Sequence, residues 1–334
     1  MTLDTEVLYD DQGLCLAGSS CERGWFGPLC QYQDLATVGA KLTPSNSLID
    51  DGDDDTCSNL KTVTITWDTA YIITWLRLSL NDTGVFSNTN ITIKLTNVTG
   101  ADTGITYFSM IPVTSRVKDI LLCSSLRAIK VTLTFLRAVT VCSLNINGGR
   151  NVALHQKTWQ STNYNESGVI YDSSKAVDGN NSNDFYGQGS CSHTLGVNGR
   201  WGINLTREHR VDRFVLYNRG DYQQRLRGFN LVAYNKNNQL QLNYTDDSKL
   251  NVSVYNITTT AIYVQSVNIT VRTYLTLCEV EIFGDIECDS ARLGLECTNT
   301  CNCNDPTETC FVATGGCRSG CTAGYQGEGC SKGW

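Results

Sequence analysis

Sixteen cysteines in a chain of 334 residues constrain its fold more than any other feature. Cytosolic chains keep few thiols and keep them reduced, so a dense and even set points to disulfides formed in an oxidising compartment. Eight of them fall between Cys288 and Cys330, among turn residues that have little with which to build a core, so this part must be stapled. Its end, "GGCRSGCTAGYQGEGC", has a near-copy early in the chain, "GLCLAGSSCERGWFGPLC". In both, two cysteines enclose eight residues with an aromatic and glycines in the middle, which sets Cys21 with Cys30 and Cys321 with Cys330. Zinc is a rival for "CNC" at 301–303, but no histidine stands near it.

Two segments of similar length lie between these ends, 34–149 and 150–286. Stretches such as "NITIKLTNV" (90–98), "RAIKVTLTF" (127–135), "RFVLYN" (213–218), "GFNLVAY" (228–234) and "SVNITVR" (266–272) alternate apolar and polar residues and are rich in β-branched side chains. No long stretch repeats apolar residues with a period near 3.6. The chain is therefore expected to be all-β, with many short strands forming two β-jelly-roll sandwiches in tandem and small disulfide-rich modules at the ends. The segments also resemble each other. "LIDDGDDDTC" (48–57) aligns with "KAVDGNNSNDFYGQGSC" (175–191), and "VCSLNINGG" (141–149) with "LCEVEIFGD" (277–285). Each has an early and a late cysteine, which pairs Cys57 with Cys142 and Cys191 with Cys278. Closing a loop of about 85 residues contributes on the order of 4 kcal/mol in the chain-entropy model. Cys15 and Cys123 are left, either bonded to each other or with Cys15 lacking an upstream partner.

Net charge is −7, and Lys and Arg are scattered, which argues against a nucleic-acid or anionic-membrane surface. Ten Asn-x-Ser/Thr sequons, at Asn81, Asn90, Asn97, Asn165, Asn180, Asn204, Asn243, Asn251, Asn256 and Asn268, favour an extracellular glycoprotein. The start, "MTLDTEVLYDDQG", has no apolar core of a signal peptide, and no run of about 18 apolar residues occurs. The expectation is a piece of a longer secreted or cell-surface chain.

Two constellations in the second segment bear chemistry. Asp178 and Asn180 of "DGN", with Ser190 and Glu279, offer the hard oxygens that Ca²⁺ takes, and a Cys191–Cys278 bond would bring Ser190 near Glu279. The plainer reading is a solvated Asx-turn. The other constellation is His193 with "NRGDYQQR" (218–225), where Asp221 can pin Arg219 and Arg225. Those donors could hydrogen-bond vicinal sugar hydroxyls while Tyr186 or Tyr222 covers an apolar face. The alternative is a surface ion-pair network worth little. His155 in "NVALHQ" and His209 in "REHR" have no evident nucleophile or zinc partner, so no enzymatic activity is expected.

The order "NVALHQKTWQST", "SKAVDGNNSNDFYGQGSCSHT", "RWGINL", "VLYNRGDYQQRLRGFNL" and "LCEVEIFG" resembles an F-type lectin (fucolectin) domain over essentially all of 150–286. The resemblance implies a calcium-stabilised jelly roll that binds terminal L-fucose on glycans or glycoproteins, for innate recognition or cell adhesion. Calcium would be held by the carbonyl of Lys175, by Asp178, Asn180 and Ser190, by the carbonyl of Cys278 and by Glu279. Fucose would be held by His193, Arg219 and Arg225, with Asp221 as buttress and Tyr186 near the sugar methyl, while Tyr222 stands where typical members carry adjacent cysteines. The family pattern has four residues between Asp221 and the second basic residue, and here there are three. Asn180 is at once a sequon and a calcium ligand, and calcium is the expected use. Three donors and one apolar contact imply affinities of about 10–1000 micromolar, so useful binding needs several sites, by repeats or oligomers.

The cysteine-rich ends resemble EGF-like modules of the multiple-EGF type, partial at 1–33 and fuller at 287–334. In segment 34–149, Asp51 and Asp53 match Asp178 and Asn180, but Ser143 stands for Glu279, Asn81 stands for Arg219, and no histidine follows Cys57. This segment is read as a degenerate, structural copy, whose "DDGDDD" run is either an acidic turn or a weak calcium site. The alternative for the whole chain is a structural or protein-binding ectodomain whose lectin fold has lost sugar affinity.

Overall fold

The computed structural model describes residues 21–333, apart from residues 22, 29, 46, 52, 88, 106–107, 123–126, 286–287, 289–291, 294–296, 298 and 331. Cys15 and Cys123 lie outside the described residues. The chain forms two compact units. One holds the residues up to Gly149 together with those from Cys288 onward, and the other is Arg150–Glu287. Both are built from antiparallel strands, and the described residues contain no α-helix.

In the first unit a short hairpin pairs β1 (Trp25–Phe26), inside the Cys21–Cys30 loop, with β2 (Tyr32–Gln33) just beyond it. There follow β3 (Lys41–Thr43), β4 (Ser58–Ile72), β5 (Trp75–Leu80), β6 (Ile91–Thr96), β7 (Asp102–Ile105), β8 (Phe108–Pro112), β9 (Val117–Leu122) and β10 (Arg127–Ile146). The strand order is β3-β4-β10-β5-β9-β8, with β6 and β7 added alongside β10. Alternation decides which way each face points: Val63, Ile65 and Trp67 of β4 are buried while their neighbours are not. They meet Leu76, Leu78, Val131, Leu133 and Leu144 in one core. Each such side chain contributes about 1.5–3 kcal/mol by leaving water.

The second unit comprises β11 (Arg150–Asn151), β12 (Lys157–Gln160), β13 (Tyr164–Glu166), β14 (Val169–Tyr171), β15 (Ser192–His193), β16 (Arg200–Tyr217), β17 (Asn230–Tyr234), β18 (Leu240–Thr245), β19 (Val254–Thr270), β20 (Thr276–Leu277) and β21 (Glu279–Asp285). The main sheet runs β11-β21-β16-β19-β17-β18 with β12 on β16, and two small pairs, β13–β14 and β15–β20, lie beside it. Trp201, Phe214, Leu216, Leu231, Val267 and Ile282 are among its core residues.

Most strands are short, as expected from the sequence, but four are not. β4, β10, β16 and β19 run for 15, 20, 18 and 17 residues. β10 and β16 change partner part-way. β10 pairs with β6 over Lys130–Phe135 and with β5 over Val141–Ile146. Between them its register with β4 slips from Thr134 to Val139, and Leu136, Arg137 and Ala138 are exposed. β16 slips likewise between Asn204 and His209. Such bulges bend a strand sharply, so one strand serves both layers of a sandwich.

Seven disulfides join described cysteines: Cys21–Cys30, Cys57–Cys142, Cys191–Cys278, Cys288–Cys297, Cys301–Cys310, Cys303–Cys317 and Cys321–Cys330. Cys301 and Cys303 are thus both used in disulfides, which removes the zinc alternative. Cys30, Cys297 and Cys330, each closing a nine-residue step, all adopt the left-handed conformation. The C-terminal module is seated on the first unit. Phe311 packs edge-on against Trp75, and the Ala313 carbonyl accepts from Tyr32 Oη at 3.2 Å. Phe26 completes this aromatic cluster.

Candidate functional site

The site grows from the loop between β14 and β15. Asp172 caps a turn at Ser173–Ala176, its carboxylate accepting from the Ser174 amide at 2.9 Å. Ala176 and Val177 then anchor in the core, and the chain turns out through Asp178-Gly179-Asn180. Gly179 is left-handed at φ +85°, and a side chain there would also crowd Leu154. Two Asx bonds shape the turn: Asp178 Oδ1 accepts from the Asn180 amide at 2.9 Å, and Asn180 Oδ1 from the Ser182 amide at 3.1 Å. The Ser190 hydroxyl reaches back to the carbonyls of Ser182 and Asp184, at 2.7 and 3.0 Å. Lys175 Nζ donates to the Gly189 carbonyl at 2.7 Å. The loop then ends in the Cys191–Cys278 disulfide and the β15–β20 pair.

Glu279, the next residue after that cysteine, is 1% exposed. Its Oε1 accepts from the Gly179 amide at 3.3 Å, and its Oε2 is buried with no hydrogen-bond partner. Burial, then the charge of Asp178, pushes its carboxyl up to about 8. A buried carboxyl that feels the charge of Asp178 and has one oxygen orphaned is what a nearby cation would relieve. The rest of the donor set is neutral oxygen, and no trio of His, Cys, Asp and Glu converges among the described residues. Such a set suits Ca²⁺ rather than a transition metal. The residues present therefore fit the ion.

The second cluster lies at the ends of β15 and β16. Arg219 is 1% exposed, and its Nε and Nη2 donate to the two oxygens of Asp221 at 2.7 and 2.6 Å. That bond is the main cause holding the Asp221 carboxyl below the usual range. The guanidinium lies 3.9 Å over the Phe185 ring, whose other face stacks on Tyr171 at 4.4 Å. Tyr222 starts the turn Gln223–Leu226 in the left-handed region at φ 50°. The three residues between Asp221 and Arg225 are spanned by this compact turn. It brings Arg225 over Tyr222, 4.7 Å from the ring centre, and over Tyr274 at 5.3 Å. Arg225 Nη1 stands 3.0 Å from His193 Nε2.

A guanidinium only donates, so His193 accepts at Nε2 and carries its proton at Nδ1, which is buried without a partner. The ring is 6% exposed and meets Tyr164 edge-on at 4.6 Å. Burial, then Arg225 and Arg219, lowers its pKa to about 4, so it is neutral through the physiological range.

The structure thus gathers His193, Arg219, Asp221, Arg225 and Tyr222, while Tyr186 stands at the rim, its ring 5.5 Å from the Arg219 guanidinium. It also shows residues that the sequence reading missed. Phe185 is the floor under Arg219, and Tyr164 and Tyr274 wall in His193. Gln160 Nε2 ties the carbonyls of Tyr171 and His193 together, at 2.8 and 3.1 Å. The adjacency of Phe185 to Tyr186 was the one available signal, since an aromatic pair in a polar loop points to one buried and one open ring. His209 is buried on β16 opposite Val264, in the strand's middle, away from the Tyr217 end where the cluster lies.

A family model described as a NedA-like, galactose-binding domain matches residues 175–271. Fucolectin-2 of Anguilla japonica is 40% identical over 72 residues, 21% of this chain and 39% of its own length. Fucolectin-6 of Anguilla japonica is 33% identical over 143 residues, which are 40% of this chain and 74% of that protein. The chain belongs to the fucolectin family. This fucolectin spans about two fifths of the length of Fucolectin-2. A fucose binding module of Streptococcus pneumoniae is 30% identical, covering 40% of this fucolectin and 96% of the module at a TM-score of 0.36.

Proposed function

We propose that the second sandwich of this fucolectin is a calcium-braced lectin domain that binds L-fucose at the ends of glycans. The observation that carries the reading is the convergence of His193, Arg219 and Arg225 in one aromatic-walled cluster. Asp221 holds Arg219 by two parallel bonds, so the guanidinium is fixed before any ligand arrives. Nη1 of Arg219, with Nε and Nη2 of Arg225, is left to donate to vicinal hydroxyls. Tyr222, 51% exposed, and Tyr186 offer ring faces to the apolar side of a sugar. Each charge-assisted bond is worth about 1.5–3 kcal/mol before desolvation, which supports affinities of about 10–1000 micromolar and a need for several sites.

The carbonyls of Lys175 and Cys278 with Asp178, Asn180, Ser190 and Glu279 would hold the calcium ion. Bound there, Ca²⁺ supplies positive charge to the Asp178–Glu279 pair and stiffens the loop leading to His193. Seven disulfides support an extracellular setting, in which the chain serves recognition or adhesion by binding fucosylated glycoproteins. Among the six cysteines from Cys301 onward, Cys301–Cys310, Cys303–Cys317 and Cys321–Cys330 join first to third, second to fourth and fifth to sixth, while Cys288–Cys297 precedes them. This pattern supports the EGF-like reading of that part of residues 287–334. The Cys21–Cys30 loop supports a partial copy within 1–33.

One observation favours the other reading, a protein-binding ectodomain without sugar affinity: His193 Nε2 is already engaged by Arg225. Retention on immobilised L-fucose separates the two. Retention that falls with EDTA and with His193→Ala supports the lectin, and no retention in calcium buffer overturns it.

A further inference from the structure

Three sequons of the second unit share one outer sheet face. A strand of period two sends alternate residues to opposite sides, so an Asn-x-Thr triplet in a strand shows its asparagine and threonine together. In β19 Ile269 is fully buried while Asn268 and Thr270 are half-buried on the outer side. Leu205 is likewise buried between exposed Asn204 and Thr206, and Tyr244 packs toward the core between exposed Asn243 and Thr245. Across the sheet, Trp159 of β12 stands opposite Gly202 of β16, and Gly202 opposite Asn268 of β19. A Cβ at Gly202 would lie 2.5 Å from the Trp159 ring and 2.6 Å from Asn268 Oδ1, so indole and amide meet over the bare glycine. Trp159 nevertheless keeps 41% of its surface in solvent. An indole lying over a bare glycine beside an acceptor asparagine, with ring surface to spare, suits the apolar face of a pyranose.

We propose that Asn268 carries an N-linked oligosaccharide whose first sugar lies on the Trp159 indole. Attachment joins Asn268 Nδ2 to the anomeric carbon of a lipid-diphosphate-linked oligosaccharide; the lipid diphosphate leaves and the amide gives up one proton. The inference rests on the extracellular reading, because the seven disulfides place folding in the oxidising compartment where sequons are used.

The test is secretion of the full chain from cultured animal cells, followed by glycopeptide mass spectrometry of every sequon. Asn268 is expected to be occupied in most molecules, and Thr270→Ala to remove one glycan mass. Amidase release from folded protein should be several-fold slower at Asn268 than at Asn204. Trp159→Ala should abolish that lag, and Trp159→Gln gives the same comparison if the alanine variant is not secreted. Asn268 bare beside an occupied Asn204 or Asn243 overturns this inference and leaves the extracellular reading standing; all sequons bare overturns both. An occupied Asn268 released at one rate with or without Trp159 overturns the stacking.

Discussion

After its late disulfide cysteine the first sandwich continues with Ser143 and the second with Glu279. Ser143 pairs with Ser79 and Glu279 with Tyr217, and two residues beyond those partners stand Asn81 and Arg219. The turns before the first cysteines also match. Asp51 accepts from the Asp53 amide and Asp53 from the Asp55 amide, as Asp178 and Asn180 do for theirs. Disulfide, turn and register recur in both sandwiches; the buried carboxylate, the stacked arginine and the histidine occur in one. The recurring features are those the backbone requires, because each satisfies main-chain groups or closes a long loop. The features that differ gather ionisable groups at one end of the second sandwich, as a binding site requires. The buried Asp34 and Asp119 of the first sandwich each have internal partners instead.

Arg219→Ala tests that division most severely. It should weaken fucose binding about 100-fold or more by calorimetry, while Asn81→Ala leaves it unchanged. The disulfides come next. Cys57→Ser with Cys142→Ser, and Cys191→Ser with Cys278→Ser, should each destabilise their own sandwich by about 4 kcal/mol in scanning calorimetry. Only the second pair of changes should reduce sugar binding. Calcium at about 100 times its Kd should stabilise the second sandwich by about 2.7 kcal/mol, an increment that EDTA or Glu279→Gln removes and Ser143→Glu does not transfer.

Acid gives effects of opposite sign in the two sandwiches. All three histidines lie in the second. The folded-state pKa of His193, near 4, is below its ordinary 6.5, so the unfolded chain binds the extra proton between them. Relative to His193→Gln, wild type should therefore lose stability as pH falls from 6.5 toward 4 and hold a constant difference above 6.5. In the first sandwich burial raises Asp34 from 3.8 to about 6, so its contribution is full below 3.8 and is lost as pH rises through 6. Denaturant titrations across that range check both signs.

Period-two alternation and the internal repeat made the all-β class readable, because burial on one strand face is a local property. The bends were not readable. At Leu136-Arg137-Ala138 the alternation simply breaks, and a break reads as a turn unless the same strand is known to resume pairing beyond it. In the site, the residues carrying charge were visible because their types are rare. Phe185, Tyr164 and Tyr274 come from separate loops and look like ordinary core or surface aromatics until the fold brings them to His193 and Arg219. The three-residue gap before Arg225 became interpretable only with Tyr222 in a left-handed turn.

The seating of Phe311 on Trp75 has a consequence for biosynthesis. Chains emerge at roughly 5–20 residues per second, so Trp75 leaves the ribosome tens of seconds before Phe311. During that interval the aromatic patch around Trp75 lacks its C-terminal cover, while every strand of the second sandwich has already been synthesised. A nascent chain halted short of Cys301 would therefore present that patch to chaperones, and chains completed through Cys330 would not.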